Sequence, residues 1–386
     1  MTTESIRIII IVSYGFEVTP VPRKNENETA PVAEVKAKVM TEPITQVLAE
    51  YPAEDPMQIV NGTMNMSENL QTICESFIAN RDALRKAVML GNIKMCVLAA
   101  YILTTAGVTA DVDQLKALRK LINKKVSSIS YLVLRSELPL LAALCLSPDP
   151  EATLDKINRI YDIMKKRCGR SFYVAMLSIL FSQTMDEEQA AQIAERGKVL
   201  FDAFNKKHPI ITSDRDIASA CLLALSDKTD EQILEECEAT HSLLKNAFRD
   251  STFPQFCAYI LCMTDGVPDD KATRLLELFF ALKASKKKYL TGHEMEVLAA
   301  LSLTNLSTGE LMDAIIVIEA FLSKQKEYGA LSGFDEQRRL MNAAMLATAA
   351  FGDRNLTAVN IMAAIVALVA EQDADDAATA ASIATT

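Results

Sequence analysis

The sequence predicts an all-α protein, an α-solenoid-like array of antiparallel helix pairs with a repeat of about 40 residues. Three observations predict it. Gly and Pro are scarce, at 12 each among 386 residues, while half of the chain is apolar. An apolar helix ending in a small hydroxyl residue recurs along the chain. Charge recurs in a fixed phase with that helix. The absence of Trp and the small aromatic share (6%) weaken an all-β alternative.

Residues 1–64 stand apart as an N-terminal extension, partly disordered. The run Ile8-Ile9-Ile10-Ile11-Val12 is ended early by Ser13-Tyr14-Gly15, too short for a signal peptide. A polar, Pro-punctuated stretch around Pro20 and Pro22 reads as a linker, and a short helix around 31–50 is possible. The helical-repeat domain then runs over 65–371. Ser67 is placed to cap its first helix, with Gln71 near the capping-box position. Residues 372–386 read as a disordered acidic and Ala-rich tail.

Within the repeat domain, the apolar helices close on Thr104, Ser147, Ser182, Ser226, Thr264 and Thr304, at spacings of 35 to 44 residues. A looser copy runs from Met341 to Phe351. The first helix of each pair is apolar on nearly all sides and is expected to be buried between neighbours. The second carries one stripe: Leu154, Ile157, Ile160, Tyr161 and Met164 in one pair, and Leu275, Leu276, Phe279, Phe280 and Leu282 in another. The short turns inside each pair force antiparallel packing. Those turns are acidic (Asp149, Glu151, Asp186, Glu187), and the second helices end in cations (Lys165, Lys166, Arg167, Lys206, Lys207). The helix dipole favours this order. If the pairs stack in register, one edge of the array is acidic and the other basic. Both an open arc and a closed ring fit the pattern.

Several function classes are disfavoured. A net charge of −10 repels nucleic-acid backbones. The apolar stretch Leu356 to Ala370 is shorter than the ~20 residues of a membrane span and reads as a buried terminal helix. The eight Cys lack C-x-x-C spacing and read as reduced, buried thiols of a cytoplasmic protein. No phosphate-binding loop, dinucleotide fingerprint or nucleophile elbow is found, so no cofactor is expected. Only three His occur, which argues against an enzyme.

The candidate binding residues lie on the expected basic edge. Lys206, Lys207, His208 and Asp214 belong to one connection, where Pro209 breaks the helix and Thr212, Ser213 or Asp214 can cap the next. Lys286, Lys287, Lys288 and His293 belong to the equivalent connection two pairs on, where Thr291 can cap. His293-Glu294 is not a zinc-protease motif, because Val297 stands where the second His is required. Cys237 and His241, four apart, could share a helix face, but no further ligand stands near in sequence, and no metal site is assigned. The expected role is an interaction or scaffold module for a protein or peptide partner, binding an acidic peptide or small anion. The alternative is an enzyme on a closed α/α toroid with carboxylates at helix ends.

The segments Lys207-His208-Pro209-Ile210-Ile211-Thr212-Ser213-Asp214-Arg215-Asp216, Tyr289-Leu290-Thr291-Gly292-His293-Glu294 and Tyr328-Gly329-Ala330-Leu331-Ser332-Gly333 resemble an uncharacterised bacterial family, domain of unknown function 4003, over roughly residues 66–370. The resemblance implies no activity, cofactor or catalytic residue.

Overall fold

The computed structural model describes residues 57–60, 63–88, 92–209, 214–248, 253–287, 289, 292, 294–328, 334–352, 357 and 360–369, with only the backbone of 57–60 and 63–65. The arm over 1–56, the possible helix at 31–50, the tail over 372–386, Thr291, Lys288 and His293 lie outside the described residues.

The chain is all-α apart from a short hairpin. Strands β1 (Met57–Val60) and β2 (Thr63–Met66) pair antiparallel, Met57 opposite Met66. Then come α1 (Glu68–Ala87), α2 (Ile93–Thr105), α3 (Val112–Lys125), α4 (Tyr131–Leu134), α5 (Glu137–Cys145), α6 (Pro150–Cys168), α7 (Phe172–Ser182) and α8 (Glu187–Lys207). They continue as α9 (Asp214–Leu223), α10 (Asp230–Ala247), α11 (Phe253–Cys262), α12 (Pro268–Ala284), α13 (Glu294–Ser302), α14 (Thr308–Leu322) and α15 (Glu336–Phe351). Residues 360–369 are helical too and form α16. The β2 strand packs on α14.

Local chemistry sets most helix starts. Ser67 accepts the Leu70 N–H at 3.4 Å, as its position in the sequence predicts. Reciprocal capping boxes join Asp186 to Gln189, Thr229 to Gln232 and Ser307 to Glu310, satisfying N–H groups that a helix leaves orphaned. Pro150 and Pro268 open α6 and α12, where no N–H is needed. Gly169 ends α6 at φ 86, a conformation that an L side chain resists.

Seven antiparallel pairs are seen among the described residues, in the opposite phase to the one expected from the short acidic turns, because each one-sided helix packs chiefly on the apolar helix that follows it: α1 with α2, α3 with α5, α6 with α7, α8 with α9, α10 with α11, α12 with α13, and α14 with α15. The second member of each pair also packs on its counterpart in the next pair, in the series α2, α5, α7, α9, α11, α13, α15. The series does not end there, because α15 packs on both α1 and α2. The array is therefore a closed ring, which settles the open-or-closed alternative left by the sequence. The helices of the inner series are mostly buried: Phe172 to Ile179 in α7 and Pro254 to Cys262 in α11 are buried without a break, whereas α9, α13 and α15, expected to be apolar on nearly all sides, carry charged residues near their starts. The outer helices bury one stripe. In α6 it is the predicted Leu154, Ile157, Ile160, Tyr161 and Met164. In α12 it is Leu275, Leu278, Phe279 and Leu282, whereas Phe280 is half exposed. At 100° per residue, Leu278 and not Phe280 continues the face set by Leu275 and Leu282. The predicted terminal helix is present as α16, enclosed over all of 362–369. No described helix is long and apolar enough to cross a membrane.

The seam of the ring is polar as well as packed. Arg81 of α1, 1% exposed, donates to the Lys326 carbonyl at 3.2 Å and lies over the Tyr328 ring. Neighbouring outer helices are latched by a cation on one and a carboxylate on the next: Lys125–Asp155 at 2.8 Å, Arg159–Glu187 at 2.7 Å, Arg167–Glu195 at 2.6 Å and Arg196–Asp230 at 2.8 Å. Such exposed pairs each contribute about 0–1 kcal/mol and chiefly fix register.

Candidate functional site

Antiparallel pairing around a closed ring puts every outer-helix C-terminus on one rim. Lys124, Lys166, Lys206, Lys245, Lys286 and Lys324, one from the end of each of α3, α6, α8, α10, α12 and α14, are exposed there. The opposite rim carries exposed Asp113, Glu151, Glu188, Glu231 and Asp269 at the outer-helix starts. The separation is incomplete: Lys125, at the end of α3, also reaches Glu151, at the start of α6, at 2.8 Å, and Asp214 and Asp335 are exposed on the cationic rim where α9 and α15 begin.

The densest group on the cationic rim lies where α8 ends. The chain leaves α8 at Lys207, and His208 is the C-cap, its N–H bonded to the Phe204 carbonyl at 2.8 Å. This fixes the imidazole against α10. There Glu238 and His241, three apart on one face, point at it. His208 Nε2 is 2.9 Å from Glu238 Oε2. The His208 and His241 rings meet edge to face with centroids 5.1 Å apart. His241 is 5% exposed. Lys207 Nζ is 4.0 Å from the same Glu238 oxygen. Burial pushes the Glu238 carboxyl up, but the His208 hydrogen bond and the charges of His208, Lys207 and His241 outweigh it and hold the group below its ordinary value. One donor atom from each of His208, Glu238 and His241 falls within 4.8 Å of the other two.

Of the residues singled out in the sequence, the structure brings Lys207 and His208 into this group. Lys206 is exposed beside it, and Asp214 opens α9, exposed. Lys286 and Lys287 lie at the end of α12, two outer helices on, where Lys287 Nζ is 3.4 Å from Glu319. Glu238 was missed, although its i, i+3 spacing to His241 was there to read. Cys237, paired with His241 in the sequence, is buried and interacts with Cys262, away from the imidazoles.

A second polar group lies inside the ring, near the starts of α9, α11 and α13. Gln255 Nε2 donates to Asp216 Oδ1 at 2.6 Å and to the Tyr259 hydroxyl at 2.7 Å. Arg215 lies over the Phe256 ring, 3.9 Å from Glu296 Oε1. Asp216 and Glu296 have no exposed surface. Burial, with Asp216 alongside, drives the Tyr259 phenol far up, so it stays a neutral donor.

Fold and site together define an all-α ring of helical hairpins with a histidine–carboxylate cluster on its cationic rim. The family described as "Protein of unknown function (DUF4003)" matches residues 80–374, and the chain belongs to that family. No curated protein and no solved structure matches it.

Proposed function

We propose that this chain is a ring-shaped interaction or scaffold protein that binds an acidic peptide or small anion on its cationic rim. Lys206, Lys207, His208, Lys286, Lys287, Lys288 and His293 are the residues proposed to make the contact, with Asp214 at its border. The observation that supports this reading is the segregation of charge. A chain of net charge −10 exposes a lysine from each of six successive outer helices on one rim. Lysines so arrayed attract anions over about a Debye length, some 8 Å at physiological salt. Their long stems let them adapt to an extended ligand. The test is fluorescence anisotropy with a labelled oligo-glutamate peptide. Lys206→Glu, Lys207→Glu and Lys286→Glu together are expected to weaken binding at least tenfold, and affinity is expected to fall with added salt. Binding indifferent to both changes would refute the proposal.

The second reading is an enzyme on a closed α/α toroid with carboxylates at helix ends. Ring closure and the Asp216–Gln255–Tyr259 chain favour it. The complete burial of Asp216 and Glu296 weighs against it, because a reacting group must meet substrate. Thermal unfolding of Asp216→Asn discriminates. A structural role costs stability, whereas a carboxylate held for chemistry gains stability when neutralised.

A further inference from the structure

We propose that His208, Glu238 and His241 bind one divalent transition-metal ion of the zinc class. The donor set points to that class. Two imidazoles and one carboxylate are the borderline ligands that zinc, cobalt and nickel take, whereas calcium and magnesium select oxygen alone. The geometry suits it. Bonds of about 2.0–2.2 Å to a tetrahedral ion place ligand atoms somewhat over 3 Å apart. The His208–Glu238 pair already stands at 2.9 Å, and all three donors lie within 4.8 Å of one another. Side-chain rotation closes the remainder without moving a helix. Two ligands sit three apart on the 18-residue α10, and the third is pinned by the cap of α8, so the site joins two neighbouring outer helices.

A simpler account makes this another latch between outer helices. The other latches are the comparison. At Lys125–Asp155, Arg159–Glu187, Arg167–Glu195 and Arg196–Asp230 the cation is a Lys or Arg, charged at any physiological pH. Where α8 ends, on the same junction that Arg196–Asp230 already latches, a His instead faces the carboxylate, and a second His is buried beneath it. The chain has three His, and two of them meet here. A latch needs neither substitution; a metal site needs both. The nearby cation that opposes an ion is Lys207, 4.0 Å from Glu238; it is an exposed side chain that can swing into solvent. Three protein ligands leave a fourth position for water or an anion, on the rim where the proposed function places an anionic ligand. The metal site itself does not depend on that reading.

The test uses the full chain, stripped with chelator and titrated with Co²⁺ by absorption spectroscopy and with Zn²⁺ by calorimetry. One ion per chain is expected, with a tetrahedral Co²⁺ spectrum lacking a thiolate charge-transfer band. His208→Gln and His241→Asn are each expected to weaken Zn²⁺ binding at least tenfold, while His293→Gln and Cys237→Ser leave it unchanged. Should His241→Asn fail to fold, the wild-type chain decides through a Zn²⁺-dependent rise in melting temperature that His208→Gln abolishes. No stoichiometric binding, a thiolate band, or affinity lost equally in His293→Gln would overturn the proposal.

Discussion

The hydroxyl of Tyr101 lies 2.9 Å from the hydroxyl of Thr348, joining the second helix of the ring to the fifteenth. Thr348 gives its single proton to the Met345 carbonyl at 2.6 Å, so Tyr101 is the donor. Its phenol is pushed up to about 12 by burial and keeps its proton throughout the working range. Tyr101→Phe leaves Thr348 one partner short, and is expected to cost about 1 kcal/mol. Arg81→Met removes the bond to the Lys326 carbonyl and the contact with Tyr328, and is expected to cost about 2–3 kcal/mol. Urea unfolding midpoints at constant slope check both values.

The close approach of α8 to α9 depends on Gly197. A Cβ there would stand 2.5 Å from the Cys221 Sγ and 2.8 Å from its Cα. The Cα belongs to the backbone and cannot turn aside. Gly197→Ala gains about 1 kcal/mol of helix propensity but forces the two helices apart. A net loss of about 1–2 kcal/mol is expected, read as a lowered melting temperature.

Thiol reactivity should single out Cys168. Burial pushes Cys74 and Cys96 up to about 12, leaving almost no thiolate at pH 8. Cys168 is only partly buried, with its Sγ 3.9 Å from that of Cys221. The hydrogen bond from Cys221 first, then Lys198 and Arg167, holds its thiol below the ordinary value. Brief iodoacetamide treatment of the folded chain, read by peptide mass spectrometry, is expected to modify Cys168 well before Cys74 or Cys96. Equal labelling of all three would contradict this.

Acid should loosen the α8–α10 junction. The Glu238 carboxyl is held below its ordinary value of 4.5 in the folded chain. A depressed carboxylate contributes stability that is fully present above the unfolded value and lost as pH falls through the folded one. The junction is therefore expected to hold at neutral pH and weaken below about pH 4.5. In Glu238→Gln the unfolding midpoint should be lower at pH 7 and depend less on pH between 5 and 3. Chemical unfolding across that range is the measurement.

The all-α class, the burial of the apolar helices and the Ser67 cap were legible, because each is a local pattern of apolar spacing or cap chemistry; the capping boxes at Asp186, Thr229 and Ser307 were missed, and which neighbour each apolar helix pairs with was not legible. Leu154 to Met164 gave the α6 stripe correctly; Phe280 was misplaced because its neighbour Phe279 carries the burial. The seam was not legible. Arg81 with Lys326, and Tyr101 with Thr348, are pairings across almost the whole repeat domain, and nothing in either segment names the other. The rim cluster was half legible. His208 and His241 were each singled out, yet they lie on different outer helices, and only the ring's lateral packing joins them. Cys237 drew attention as a ligand because thiols and imidazoles four apart share a face; burial turned it towards Cys262 instead.

Closure also constrains the order of synthesis. A linear stack can bury each new hairpin on the one before as the chain leaves the ribosome. In this ring, the faces of α1 and α2 that receive α15 stay bare until nearly the whole repeat domain has been made. These two helices, early in the repeat domain, are among the last to be covered, and Arg81 and Tyr101 wait longest for their partners.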